Sequence, residues 1–261
     1  AGSIDMRPAD EGSSNTDYRV FNSALHFSSD GEILNIYDKI HLVPFGEFVP
    51  LGRYFPFLVD WIGMGRDLSP GKRYVLFRFD EDVYAGVNIC FEDVFPAISR
   101  EFVKRGADIL MTITNDAWYR ESAGPAQHRN HAVFRAVETG RPLLRSGNNS
   151  DSCLILPDGS VRGLIKDPLT HNRFVRGYRV YEVPVPDDGP LTFYTLYGDL
   201  FTLACAAISI GSLTAAAGAS LYRRRASEAT VAGQPTETSA GKSPAVPASD
   251  RDLGEGIGEK R

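Results

Sequence analysis

The chain has 261 residues, 43% hydrophobic and 23% charged, an ordinary globular composition with enough chain for one large core. Its formal net charge of -5 argues against a nucleic-acid partner, whose phosphates call for a basic surface. The cysteines Cys90, Cys153 and Cys205 cannot build a disulfide framework, so they leave the redox compartment open.

The chain opens Ala-Gly-Ser-Ile-Asp, with no initiator Met and already in a strand-like pattern. The protein is therefore expected to begin upstream, with this chain as its C-terminal part. Ser3–Met6 reads as a strand. Tyr18–Phe27 alternates apolar and polar residues, Asp30-Gly31 supplies a turn, and residues 32–39 return, which makes a hairpin. The run from Lys39 to Pro50, broken by Pro44 and Gly46, reads as a loop. Residues 51–64 then crowd Tyr54, Phe55, Phe57, Leu58, Val59, Trp61, Ile62 and Met64 between Pro50, Pro56 and Gly63. Such density is either core packing or an exposed apolar arm that marks a lipid or partner surface.

Tyr74–Phe79 and Val83–Cys90 form a second hairpin across Asp80-Glu81-Asp82. Residues 95–105 read as a helix, and residues 107–114 as a β-like run that ends in Asn115-Asp116-Ala117-Trp118. Strand, sharp turn, helix and strand make a βαβ unit, and parallel sheets carry their chemistry at the carboxyl ends of the strands. Cys90 sits at such an end, before a helix N-terminus whose dipole favours the thiolate, the nucleophilic form. The other reading of Cys90 is a small buried apolar residue, as most free cysteines are.

Ser122-Ala-Gly-Pro125 opens a helix that runs to Thr139 and stops at Gly140 and Pro142. His128 and His131 fall at i, i+3 on it, a spacing that a metal site can use. With no carboxylate or third histidine at ligand spacing, packing rather than metal binding is expected. Leu143–Ser146, Ser152–Leu156, Ser160–Ile165 and Tyr178–Val185 read as strands, with Pro157-Asp158-Gly159 as a turn.

Residues 200–222, LFTLACAAISIGSLTAAAGASLY, carry no charge and are long enough to span a bilayer. Arg223-Arg224-Arg225 follows at once. Basic residues stay on the cytoplasmic side, so the helix is expected to run outside to inside and to hold the large domain outside the cytoplasm. The alternative is a buried alanine-rich core helix. Residues 226–261 have almost no large apolar side chains and are expected to be disordered. The reading is a domain at 1–190, a linker at 191–199, a transmembrane helix at 200–222 and a disordered cytoplasmic tail at 223–261.

Three charged residues are placed to work with Cys90: Lys39 at a strand end, Glu47 in the loop after it, and Glu92 just past the cysteine. A lysine near a thiolate stabilises it, and its ammonium also stabilises an oxyanion. Taken alone, Lys39 reads as a solvated strand-end charge.

Tyr37-x-Lys39-x-His41-Leu-Val-Pro-Phe-Gly-Glu47-Phe-Val-Pro50, Asn88-Ile-Cys90-Phe-Glu92, Thr114-Asn-Asp-Ala-Trp118, Gly124-Pro-x-Gln-His128 and Glu138-x-Gly-Arg-Pro-Leu-Leu-Arg145 with Asn148-Asn149 resemble the apolipoprotein N-acyltransferases. These are the membrane-bound branch of the nitrilase (carbon-nitrogen hydrolase) superfamily. The resemblance implies an α/β fold, a nitrilase-like α-β-β-α sandwich facing the periplasm of a bacterial inner membrane, here without its N-terminal part. It implies a Glu-Lys-Cys triad in which Lys39 is the lysine and Cys90 the nucleophile. Glu47 and Glu92 match accessory acidic positions, Phe91 lies beside the oxyanion donors, and Trp118 matches an aromatic near the mouth of the site. The triad glutamate is carried by the family ahead of the strand where this chain opens, and Glu11 and Glu32 stand in the wrong context to replace it.

The implied reaction needs no cofactor and no metal. Cys90 attacks the sn-1 ester of a phospholipid, and the resulting thioester passes its acyl chain to the amine of a diacylglyceryl-apolipoprotein. Tyr54, Phe55, Phe57 and Trp61 are expected to form a lipid-contacting arm. The alternatives are a membrane-tethered nitrilase-type amidase and an inactive fragment.

Overall fold

The computed structural model describes residues 1–8, 18–52, 54–63, 67–185 and 190–232. Glu11, Met64 and the expected tail beyond residue 232 lie outside the described residues. The chain divides into two compact units, Ala1–Leu203 and the chain from Ala204.

In the first unit β1 (Gly2–Pro8), β2 (Tyr18–Phe27) and β3 (Ile33–Asp38) form an antiparallel sheet. The expected turn joins β2 to β3, with Gly31 at φ +85°, a conformation that glycine adopts without Cβ strain. The second sheet has the order β4 (Leu76–Arg78), β5 (Tyr84–Ile89), β6 (Ile109–Asn115), β7 (Leu143–Asn148), β8 (Cys153–Ile155), β9 (Val161–Arg162). Its centre, β5-β6-β7, is parallel, and its flanks are antiparallel. This is why β5 is buried almost throughout, whereas the two-residue β9 is exposed.

The helices are α1 (Pro56–Ile62), α2 (Pro96–Lys104), α3 (Gly124–Thr139), α4 (Phe193–Tyr197) and α5 (Leu200–Ala232). Pro96 occupies the first turn of α2, where a missing N–H costs nothing. The buried Ile98, Phe102 and Val103 give α2 its apolar stripe, and α2 packs on β5. The approach is close: a Cβ on Gly86 would lie 2.5 Å from the Phe102 ring, so glycine is required there. α3 packs on β7 and closes at Gly140, whose φ of +66° supplies a left-handed C-terminal cap. Ala24 and Tyr37 of the first sheet share one core with Val87, Ile89, Phe102, Leu110, Leu143 and Ile155.

Three expectations are corrected. Tyr178–Val185 forms no strand; Tyr178 and Val180 project into solvent, so its alternation has no apolar face to bury. The 191–199 linker is not a free connection. Thr192 Oγ1 accepts the Thr195 N–H at 3.0 Å to cap α4 and donates to the Glu138 carbonyl, while Arg100 Nε donates to the carbonyls of Tyr194 and Thr195 at 3.0 and 2.9 Å. Finally, α5 continues through Arg223–Arg225 to Ala232, into the stretch expected as tail; residues 223–232 contain no glycine or proline to stop it.

The buried-core alternative for the apolar helix fails. Leu200–Ala226 is long and apolar enough to cross a membrane, and none of its apolar window is buried in the protein.

Candidate active site

β5 delivers Cys90 to the carboxyl edge of the parallel sheet. There it opens a 3-10 turn, Cys90–Val94, with φ +53°, in the left-handed region that disfavours any residue with a Cβ. Such a conformation persists only where its surroundings over-determine it, and two fully buried carboxylates in the same turn supply that constraint.

Glu92 is the first. Its Oε2 accepts the Ile89 N–H at 2.8 Å. Its Oε1 accepts the Ile40 N–H at 2.7 Å, the His41 N–H at 3.1 Å and the Tyr37 hydroxyl at 3.0 Å. One carboxylate thus ties the residue before Cys90 to the residue after Lys39. Burial pushes the Glu92 carboxyl above its usual range, and the N–H donors and Tyr37 oppose that shift. Burial, then the Glu92 charge, pushes the Tyr37 hydroxyl far up, so it stays a donor.

Lys39 is not the solvated charge its position alone allowed. It is 1% exposed, with Nζ 2.7 and 2.9 Å from the two oxygens of Glu47. Glu47 also accepts the Val43 N–H and the Asn22 side-chain amide, both at 2.8 Å. The loop is therefore wound around a carboxylate that meets the lysine. His41 lies on Phe95, ring centroids 3.6 Å apart, and its pKa is lowered by burial and then by the Lys39 charge.

The aromatic residues divide. Phe91 is partly buried, its ring 6.1 Å from Phe95 and 5.8 Å from His128. Trp118, on the 3-10 turn Ala117–Tyr119, is 87% exposed. Tyr54, Phe55, Phe57 and Trp61 are exposed too, Trp61 at 82%, so the crowded aromatic run is not core. Phe55 and Phe57 meet edge to face at 6.0 Å.

Asp93 is the second buried carboxylate of the turn, and it leads to a network that spacing did not reveal. Arg145 Nη1 lies 2.6 Å from Asp93 Oδ2, and Nη2 lies 3.1 Å from Asp116 Oδ2. His128 Nδ1 lies 2.8 Å from Asp116 Oδ1, while Nε2 lies 2.9 Å from Asp93 Oδ1, within ion-pair reach but off the hydrogen-bond axis. Thr114 and Ser150 hydroxyls also donate to Asp116. With His128 protonated, two carboxylates face two cations, so the group is neutral as a whole. Burial alone would lower the His128 pKa; the hydrogen bond to Asp116 and the nearby Asp93 carboxylate overcome it and push it up to about 9. Burial would raise Asp116, but His128, Ser150 and Arg145 hold it down at about 2. His128 is thus bound by carboxylates distant in sequence, and His131 is exposed. One sequence signal was available: Arg145 follows Leu143-Leu144 in an apolar strand, and a charge there demands a buried partner.

The cysteines differ in setting. Cys90 is partly buried, Cys153 is fully buried, and Cys205 lies on α5. Burial pushes the Cys153 thiol up to about 11.

The chain is 38% identical over 189 residues to the apolipoprotein N-acyltransferase of Geobacter metallireducens, covering 72% of this chain and 34% of that protein. It is 34% identical over 179 residues to apolipoprotein N-acyltransferase 1 of Treponema denticola, covering 68% of this chain and 32% of that protein. This chain therefore spans about a third of the length of these curated relatives. Among solved structures, Saccharomyces cerevisiae Nit3, described as a member of branch 10 of the nitrilase superfamily, aligns with TM-score 0.42 at 18% identity, over 56% of this chain and 49% of that one. The family described as carbon-nitrogen hydrolase matches residues 4–166, from β1 through the last strand of the second sheet. The fold is nitrilase-like, and the chain belongs to the carbon-nitrogen hydrolase family.

Proposed function

We propose that this chain carries the acyl-transfer site of an apolipoprotein N-acyltransferase, with Cys90 as nucleophile and Lys39 as its cationic partner. The observation that carries the reading is the Glu92 brace, whose carboxylate bonds the backbone beside both residues and so holds their two loops together. The similarity to N-acyltransferases of two bacteria supports the reaction class.

In the first half-reaction Cys90 Sγ attacks the ester carbonyl of a phospholipid. The tetrahedral oxyanion is held by the Lys39 ammonium and N–H groups near Phe91. The C–O bond then breaks, the lysophospholipid alkoxide takes a proton, and an acyl thioester remains. In the second half-reaction the amine of a diacylglyceryl-cysteine attacks that thioester, an amide forms, and the thiol is released. The base that deprotonates Cys90 is the glutamate that the resemblance places ahead of this chain. Glu47 and Glu92 are committed to holding Lys39 and the Cys90 turn. Trp118 and the arm of Tyr54, Phe55, Phe57 and Trp61 offer apolar surface to the lipids. α5 anchors the domain in the inner membrane, and Arg223–Arg225 at its far end favour a periplasmic site.

The test is thioester trapping in the full-length protein with labelled phospholipid. Cys90→Ala is expected to abolish a hydroxylamine-labile acyl adduct, whereas Cys153→Ala and Cys205→Ala retain it. An adduct persisting in Cys90→Ala overturns the assignment. Ammonia release from small amides with no adduct from phospholipid would favour a membrane-tethered amidase instead.

A further inference from the structure

Beyond Cys90 the carboxyl edge of the parallel sheet carries a pair of amides that the reaction above does not use. Ile89 is level with Ile113 on the adjacent strand, and Asn115 and Asn148 are register partners on β6 and β7 just beyond that level. Both are exposed.

Their orientations are fixed. Asn115 Oδ1 accepts the Ala117 backbone N–H at 3.2 Å, which decides which end of that amide is oxygen. The same Oδ1 accepts Asn148 Nδ2 at 3.1 Å, which decides the second amide in turn. The Asp116 N–H to the Asn148 carbonyl, 3.0 Å, locks the two strand ends together beneath them. Asn115 Nδ2 and Asn148 Oδ1 are left without a protein partner among the described residues, one donor and one acceptor on neighbouring strand ends. Asn115 Oδ1 holds the first N–H of the turn Ala117–Tyr119, and the Tyr119 ring lies 6.4 Å from that of His128, itself 5.8 Å from Phe91, the residue after Cys90.

A donor and an acceptor side by side are the complement of one extended peptide residue, whose own N–H and C=O point to the same side of the chain. They do not complement an ester, which offers acceptors alone. We propose that Asn115 and Asn148 form a subsite for the peptide backbone of the acceptor, with Asn148 Oδ1 accepting the N–H of its second residue and Asn115 Nδ2 donating to that residue's carbonyl. The subsite rests on the acyl-transfer reading and deepens it: the reacting amine belongs to residue one of the acceptor, so a grip on residue two sets its distance from the thioester. A pre-ordered pair of this kind loses little entropy on binding. A site built to accept an N–H also discriminates against an analogue that lacks it.

The experiment uses the full-length protein, mixed micelles containing phosphatidylethanolamine as donor, and two synthetic acceptors. One is a diacylglyceryl-cysteinyl dipeptide; the other is its depsipeptide, with an ester oxygen in place of the N–H of residue two. The wild-type protein is expected to transfer to the amide with kcat/KM about tenfold above the ester, the worth of one hydrogen bond. Asn148→Ala is expected to bring that ratio close to one. Because the ratio is taken within a single variant, any loss of folded protein cancels. Equal transfer to both acceptors by the wild-type protein, or an undiminished ratio in Asn148→Ala, overturns the subsite. Failure of the wild-type protein to form the Cys90 thioester at all overturns the acyl-transfer reading, and the subsite with it.

Discussion

Lys39 Nζ lies 2.7 Å from Oε2 of Glu47, in a pair whose lysine side chain is wholly buried and whose glutamate is 14% exposed. Removing one partner of a buried pair leaves the other charge uncompensated, at a cost of about 3–5 kcal/mol. Glu47→Ala is expected to lose stability in that range and to orphan the Val43 N–H and Asn22 amide as well. Glu47→Gln keeps the shape but also leaves the Lys39 charge uncompensated and sets an NH2 against Asn22 or Val43, so its expected cost falls in the same range. Urea unfolding measures both; no loss in either variant would return Lys39 to the solvated class.

The Glu92 brace is expected to be asymmetric under mutation. Tyr37→Phe removes one of its donors, for a loss of about 1–2 kcal/mol. Glu92→Gln turns an acceptor into an NH2 group facing a backbone N–H, at Ile89 or at Ile40 and His41, and is expected to cost more. Thermal melts of the two variants give the order, and the reverse order would contradict this account.

Stability is expected to be highest in mildly acidic solution. The folded-state pKa of His128, about 9, lies above the ordinary 6.5. Its contribution is therefore fully present below about pH 6.5 and is lost as pH rises through 9, on the order of 3 kcal/mol. Asp116 is held at about 2, below the ordinary 3.8. Its contribution is present above about pH 4 and is lost as pH falls towards 2. In His128→Gln the decline of unfolding free energy between pH 6.5 and 9 is expected to flatten. An unchanged slope would show that another group sets it.

Cys90 and Cys153 are expected to react in a fixed order with a charged, water-soluble alkylating reagent at pH 8. Cys90 is partly exposed and is modified first. Cys153, inaccessible and with its thiol pushed up to about 11, is expected to react only after unfolding. Peptide mapping by mass spectrometry reads the order, and early labelling of Cys153 would contradict its burial.

The aromatic arm is expected to be dispensable for folding. Phe55, Phe57 and Trp61 are exposed, so their joint replacement by serine is expected to leave the melting temperature nearly unchanged. Phospholipid acylation of Cys90 is expected to slow about tenfold or more, because about 2 kcal/mol of apolar contact with the lipid is lost. A large fall in melting temperature would mean that these rings support the core.

Local chemistry made much of this molecule legible. The β2–β3 turn at Asp30-Gly31, the Pro and Gly limits of α3 and the strand end at Cys90 were readable because each is decided by a few adjacent residues. The pairing of Lys39 with Glu47 is also local, yet its burial was not visible, since a loop rich in Pro and Gly usually runs over the surface. The ring of Asp93, Asp116, His128 and Arg145 was opaque for another reason. Its members come from a turn, a strand end, a helix and a strand that parallel crossovers bring together. Tyr178–Val185 failed in the opposite sense: its alternation was real, but Tyr178 and Val180 project into solvent, and the segment reaches the residues after β9 through the Tyr181 hydroxyl, which donates to the Gly163 carbonyl, rather than through a strand ladder.

The positive φ of Cys90 sets the proposed nucleophile against the stability of its own backbone. Glycine would relax that turn, and Cys90→Gly is expected to exceed Cys90→Ala in stability by about 1 kcal/mol. Drift towards a more robust molecule therefore has an easy route through this codon, and on the proposed chemistry it ends in a silent enzyme. Selection for activity has to hold the position against that pull in every generation.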